Sequence, residues 1–223
     1  YIYPSKDVSS VSSGWHHVAG TFDGRYAKLY WDGALAETID NGSTVSINYG
    51  TANLIFGAEP TSSGISTGFY HTGKIDEVRI WDDVRTQAEI QDNMYKELVG
   101  NESNLVAYYN FNDGSGTTLS DLTSNSNDGT MTNMANDDWI SISLFAQDYS
   151  LDLDGSNDYV SITENSAFKP TSALTLSAWI YINDWSNSDY YTPISITQSG
   201  GYSFYLHTDD KLYFYIDAGG SYI

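Results

Sequence analysis

The sequence predicts an all-β protein, a two-sheet antiparallel jelly-roll sandwich with one short helix at about residues 87–98. Three observations carry this. Apolar and polar residues alternate in short runs along nearly the whole chain, the period-2 signature of half-buried strands. Gly, Asn, Asp and Ser clusters separate the runs, with 19 Gly in 223 residues and 22 Asp among 29 acids, and Asp suits turns better than helices or strands. Aromatic residues make up 15% of the chain, too many for disorder despite a net charge of −20.

The elements follow in order. Residues 17–22 run into the Asp23-Gly24 turn and residues 27–31 into Asp32-Gly33, and two alternating runs closed by Asp-Gly turns signal a hairpin. Strands are expected next at 53–58 and 73–81. Thr86-Gln87-Ala88-Glu89 is a capping box, Ile90, Met94 and Leu98 recur at helical spacing, and Gly100 supplies a stop, so a helix is expected over 87–98. Further strands are expected at 105–111, 150–153, 159–162, 174–182, 192–197, 202–207 and 211–217. Residues 112–138 read as long ordered loops punctuated by Leu119, Leu122, Met131 and Met134. Residues 1–223 are assigned to one domain, long enough to bury a core without metals or staples.

Charge and composition exclude several functions. Nine Lys and Arg against 29 Asp and Glu leave no basic stripe, so neither nucleic acid nor an anionic membrane surface is an expected partner. No apolar run reaches the roughly 18 residues that a membrane-spanning helix needs. Tyr1-Ile2-Tyr3-Pro4 lacks the basic and apolar regions of a secretion signal. Zero cysteine removes disulfide scaffolds, thiol catalysis and thiolate zinc sites. An acidic, Tyr-rich β protein of this kind is expected outside the cell or on its surface, with Asp-rich turns suited to calcium.

Several phrases together resemble the laminin G-like jelly roll of the concanavalin A-like lectin/glucanase superfamily. They are Gly14-Trp15-His16-His17-Val18-Ala19-Gly20-Thr21-Phe22-Asp23-Gly24, Leu29-Tyr30-Trp31-Asp32-Gly33 and Gly73-Lys74-Ile75-Asp76-Glu77-Val78-Arg79-Ile80-Trp81, followed by the helix. The second half adds Leu105-Val106-Ala107-Tyr108-Tyr109-Asn110-Phe111, Asn127-Asp128-Gly129-Thr130, Leu153-Asp154-Gly155-Ser156-Asn157-Asp158-Tyr159-Val160 and Leu174-Thr175-Leu176-Ser177-Ala178-Trp179-Ile180. Against the family's order, the closing half (1–100) comes first and the opening half (105–223) second. One permuted domain explains this, and so does an excerpt of a tandem array. In the second case neighbouring copies complete each other head to tail, and the protein is a structural repeat of a filament or surface layer.

The resemblance implies a binding or adhesion module that recognises a glycan or an extracellular protein surface. Glucanases share the fold, but their Glu-x-Asp-x-x-Glu strand motif is missing, and of only seven Glu, Glu37, Glu59, Glu77 and Glu164 lie far apart in sequence, so no enzyme is expected. His16 and His17 point to opposite faces of a strand, which is poor zinc geometry. No nucleophile elbow or phosphate loop occurs. The family's structural calcium, carried over by motif, nominates Asp76, Asp154, Gly155 and Asp158. Trp185, Tyr190 and Tyr191 are the ligand-binding candidates, because aromatics in a polar loop are poorly explained as core. Trp139 lies in a second such loop. The Tyr-rich pair 202–207 and 213–215 reads either as a binding face or as cross-strand aromatic ladders, with the ladders favoured.

Overall fold

The computed structural model describes residues 1–61, 64–142, 148–183, 190–197 and 199–218. Its strands before the helix are β1 (Ser5–Asp7), β2 (Gly14–Phe22), β3 (Tyr26–Trp31), β4 (Ala34–Asp40), β5 (Leu54–Phe56), β6 (Pro60–Thr61), β7 (Gly64–Ile65) and β8 (Thr72–Trp81). The helix α1 spans Gln87–Asn93. Then come β9 (Leu105–Tyr109), β10 (Thr118–Leu119), β11 (Gly129–Thr132), β12 (Trp139–Ile142), β13 (Asp148–Asp154) and β14 (Tyr159–Ile162). The last four are β15 (Leu174–Ile182), β16 (Tyr191–Ser195), β17 (Gly201–His207) and β18 (Lys211–Asp217).

Two antiparallel sheets form the sandwich. The front sheet runs β1-β18-β17-β16-β5-β14-β11-β10, and the back sheet β12-β13-β8-β15-β2-β3-β4 with β9 also paired to β8. Strands from before and after α1 are interleaved in both: β15 lies between β8 and β2, and β5 between β16 and β14. Each half of the chain therefore satisfies the backbone hydrogen bonds that the other leaves open. At one seam the sheets are tied directly, where the Ser5 amide on β1 donates to Glu37 on β4 at 2.6 Å.

Between the sheets lies one continuous core built from alternate residues of the paired strands. Phe22, Leu29, Phe56, Tyr109, Phe111, Tyr202, Phe204 and Phe214 are fully enclosed, and burial of each large side chain contributes on the order of 1.5–3 kcal/mol. Gly20 lets the sheets approach closely, since a Cβ there would lie 2.3 Å from the Phe214 ring. Buried phenols keep partners: Tyr202 donates to the Phe168 carbonyl at 3.0 Å and Tyr109 to that of Asn127 at 2.7 Å.

The helix caps the outer face of the back sheet. Its N-terminus carries the expected box, with Thr86 accepting from the Glu89 amide at 3.3 Å and Glu89 from the Thr86 amide at 2.8 Å. It ends five residues earlier than expected, at Asn93. The physical reason lies beneath it. Arg79 on β8 donates to the carbonyls of Asn93 (2.8 Å) and Lys96 (2.5 Å), and the Trp179 indole to that of Met94 (2.7 Å). Side chains of the sheet thus take the carbonyls that a longer helix would use, and a cation sits at the helix C-terminus. Leu98 packs with Trp81, Leu105 and Tyr108 instead of on the helix.

Arg79 is itself buried and ion-paired with buried Glu77, which also accepts from the Tyr108 hydroxyl at 2.7 Å. Glu77 sits at φ 52°, where β8 changes partner from β13 (Thr72–Ile75) to β9 (Val78–Trp81). Glu77 and Arg79 stand two residues apart, so the period-2 alternation of the strand already puts them on one face, where they pair. Burial, followed by the Glu77 charge, pushes the Tyr108 phenol well above its ordinary range. His17 lies under the same helix, pushed down to about 3 by burial first and the Arg79 charge second.

Three further expectations change. Residues 112–138 contain β10, β11 and a 3-10 turn at Asn136–Asp138 rather than loops alone. Of their four apolar pins, Leu119, Met131 and Met134 are buried, but Leu122 is exposed. Trp139 starts β12 and packs into the core, its indole donating to the Gly116 carbonyl at 3.2 Å.

Candidate functional site

The outer face of the front sheet is aromatic. Along β17, Ser203, Tyr205 and His207 face outward between buried Tyr202, Phe204 and Leu206, and along β18, Tyr213 and Tyr215 alternate with buried Leu212, Phe214 and Ile216. Cross-strand register places Tyr205 opposite Tyr213, and their rings stack at 5.0 Å with an 11° tilt. Tyr1 stacks on Tyr215 at 5.3 Å, and Tyr215 meets Tyr205 edge-on at 6.3 Å. The expected ladder is therefore present, and its faces are turned to the surface.

Beside this ladder runs a groove of about 470 Å³ lined by Glu59, Phe69, Tyr190, Thr192, Thr197, Ser203, Tyr205, His207 and Tyr215. Phe69 and Tyr190 form one wall, with ring centroids 5.2 Å apart. The Tyr190 hydroxyl and His207 Nε2 share a hydrogen bond of 3.1 Å, while His207 Nδ1 is 3.0 Å from Asp209, which also accepts from Tyr213 at 2.8 Å. Glu59 supplies the carboxyl, accepting a 3.4 Å hydrogen bond from Thr197. Burial raises the Glu59 pKa above its ordinary value, and the Thr197 bond opposes the rise. Burial likewise holds the Tyr205 phenol protonated. A second hollow of about 340 Å³ begins at the next residue, Pro60, and continues past Asn53, Ile55, Tyr159 and Ser161. The surface thus offers flat aromatic faces interleaved with hydroxyls, one carboxyl and one imidazole.

The nominated ligand residues divide. Tyr190 lines the groove. Tyr191 turns the other way into the core, edge-on to His71, because adjacent residues on a strand face opposite sides. Trp185 lies outside the described residues.

The nominated calcium set is split by the pairing of β8 with β13. Asp154 lies opposite Thr72, four residues from Asp76 along β8, or about 13 Å at the usual rise per residue. Asp76 is fully buried on the back sheet opposite Trp179, its Oδ1 accepting from the Glu77 amide at 2.7 Å. Asp154, Gly155 and Asp158 do share a turn, and their geometry is that of a turn. Asp154 accepts from the Ser156 amide at 2.7 Å, and Asp158 from the Asp154 amide at 3.1 Å. Gly155 has φ 77°, and a Cβ there would meet Thr72 Oγ1 at 1.8 Å. Burial pushes Asp158 up to about 6, the nearby Asp154 and Asp138 charges adding to the rise. Among the described residues no group of three His, Asp or Glu is placed to hold a metal ion.

The laminin G model of the concanavalin A-like lectin/glucanases superfamily matches residues 3–91 and 154–223, more than two thirds of the chain. The chain belongs to this superfamily. The match falls in two segments, consistent with a split or permuted jelly roll. Between them lies the stretch that supplies β9 and nearly all of β13, which share one edge of β8. No curated protein shows detectable similarity to the chain. Laminin G-like members of the superfamily are carbohydrate- or protein-binding modules, generally without enzymatic activity, while other members are glycosidases. No helix among the described residues is long and apolar enough to cross a membrane.

Within this laminin G-like frame, Glu59, Phe69, Thr192 and Thr197 are groove residues that sequence reasoning did not single out, and Ser203, Tyr205, His207 and Tyr215 lie on the Tyr-rich strand pair that it did. A signal was present for some of them. The outward set Ser203, Tyr205, His207, Tyr213 and Tyr215 is readable as alternate positions on adjacent strands, unusually aromatic for a solvent face. Glu59 and Phe69 carried no such signal, because only the fold brings residues 59–69 beside residues 190–207.

Proposed function

We propose that this laminin G-like chain is an extracellular, non-catalytic module that holds an extended glycan against the outer face of its front sheet. The observation that carries the reading is the aromatic groove of about 470 Å³, roomy enough for sugar rings, with a second hollow of about 340 Å³ starting at Pro60, the residue after Glu59. Sugars present apolar CH faces and a rim of hydroxyls, and Tyr rings interleaved with Thr, Ser, His and Glu complement both. Retaining hydrolysis needs two carboxylates about 5 Å apart. Among the described residues lining the groove, Glu59 is the one carboxylate, which favours binding without cleavage.

The test is retention on immobilised polysaccharides. Tyr205→Ala, which removes the centre of the ladder, is expected to weaken retention at least tenfold while leaving the circular dichroism spectrum unchanged. Unaltered retention in Tyr205→Ala, or binding of extracellular proteins but no saccharide, overturns the reading. Reducing ends released from a bound polysaccharide would overturn its non-catalytic part.

A further inference from the structure

We infer, resting on the glycan reading, that the groove selects a cationic saccharide, a chain of amino sugars whose amines are not acetylated. Two independent features of the molecule lead there: the chemistry of the groove wall, and the disposition of every positive charge in the chain.

The wall offers π faces and negative charge. Phe69, Tyr190, Tyr205 and Tyr215 turn aromatic surface to the groove, and Glu59 adds the carboxyl. An ammonium group is attracted to the face of a Tyr ring and to a half-buried carboxylate, and both attractions strengthen where water is partly excluded. A sulfate or uronate group meets the opposite sign at each of these places.

All nine Lys and Arg lie among the described residues, and none lines the groove. Six of them are in ion pairs with Asp40, Asp152, Glu77, Glu89, Glu164 and Asp209. The last of these, Lys211, lies opposite His207 in the β17–β18 register and is held 3.6 Å from Asp209. No counter-cation therefore satisfies Glu59, and a net charge of −20 repels anionic glycans from the whole surface.

Burial costs the Glu59 anion free energy and so raises its pKa, and an ammonium group beside it would offset that cost. The other titratable groups facing the groove are Tyr190, Tyr205, Tyr215 and His207, with Asp209 behind His207.

The experiment is titration calorimetry at pH 6 with three probes: glucosamine hexaose, its fully N-acetylated counterpart, and a heparin hexasaccharide. The expected result is that the glucosamine hexaose binds at least tenfold tighter than the acetylated one and that heparin does not bind. Glu59→Gln should bring the two hexaoses within about threefold of each other, with an unchanged melting temperature as the folding control. Should Glu59→Gln fail to fold, the acetyl discrimination and the heparin result of the unmodified protein decide. Equal affinity for both hexaoses, tighter binding of heparin, or discrimination that survives Glu59→Gln overturns the inference while leaving glycan binding standing. Retention of no saccharide at all overturns the parent reading as well.

Discussion

Asp158 is a single residue with a readable pH signature. It is buried, and its carboxyl stands near 6 in the fold, about two units above the ordinary value. The folded state therefore holds a proton that the unfolded chain has already lost between about pH 4 and 6, so stability falls as pH rises through that window. Two units correspond to a penalty on the order of 2–3 kcal/mol above pH 6. Asp158→Asn keeps an oxygen for the Asp154 amide and removes the charge. It is expected to raise stability by about 1–2 kcal/mol at pH 7 and to flatten the profile between pH 4 and 6, as measured by urea unfolding. The sequence marked Asp158 as a loop acid of possible use to calcium. Its actual surroundings, the Asp154 amide and the nearby Asp138 charge, depend on which loops meet at the end of β13 and were not legible. Tyr190 and Tyr191 show the same limit at closest range: both were visible as aromatics beside a polar loop, but their opposite fates follow from where β16 begins.

At the scale of elements, the short helix and its bed form one unit. Arg79 neutralises Glu77, holds the carbonyls of Asn93 and Lys96, and lies over the Tyr108 ring at 5.6 Å. Arg79→Met leaves a buried carboxylate unpaired and frees the helix end, for an expected loss of about 3–5 kcal/mol. The double variant Glu77→Gln/Arg79→Met should recover part of that loss, and hydrogen exchange of α1 should speed up in the single variant before the strands open. The helix start was plain in the sequence because a capping box is local chemistry over four residues. Its end was not, because Asn93 is the last helical residue only through Arg79 and Trp179, 14 and 86 residues away. β18 and the end of β17, where buried and part-exposed residues alternate, were found for the converse reason, since half-burial imprints period 2 on the residues themselves, whereas β2 and β15 are buried almost throughout. Short β1, β10 and β11 leave too few residues for any period to register.

For the whole molecule, interleaving of strands from the two halves predicts one cooperative unit. Residues 1–103 and 104–223, produced separately, are each expected to be unfolded by circular dichroism, and to regain the native spectrum when mixed. The intact chain should unfold in a single transition by fluorescence and far-ultraviolet signal alike. A stable first fragment, or two separated transitions, would contradict this. The jelly-roll class was legible because it rests on composition and period, which survive any reordering of the strands; the groove was not, because it joins residues 59–69 to residues 190–215 across that order. The two outer faces also carry different chemistry, with the helix and exposed Tyr95 and Val99 on the back and the aromatic groove on the front. The protein can therefore be mounted by its back. A linker or biotin attached at position 99 would fix it to a sensor chip with every groove open to the flowing sample, and arrays of such chips would read saccharides without the orientation losses of random coupling.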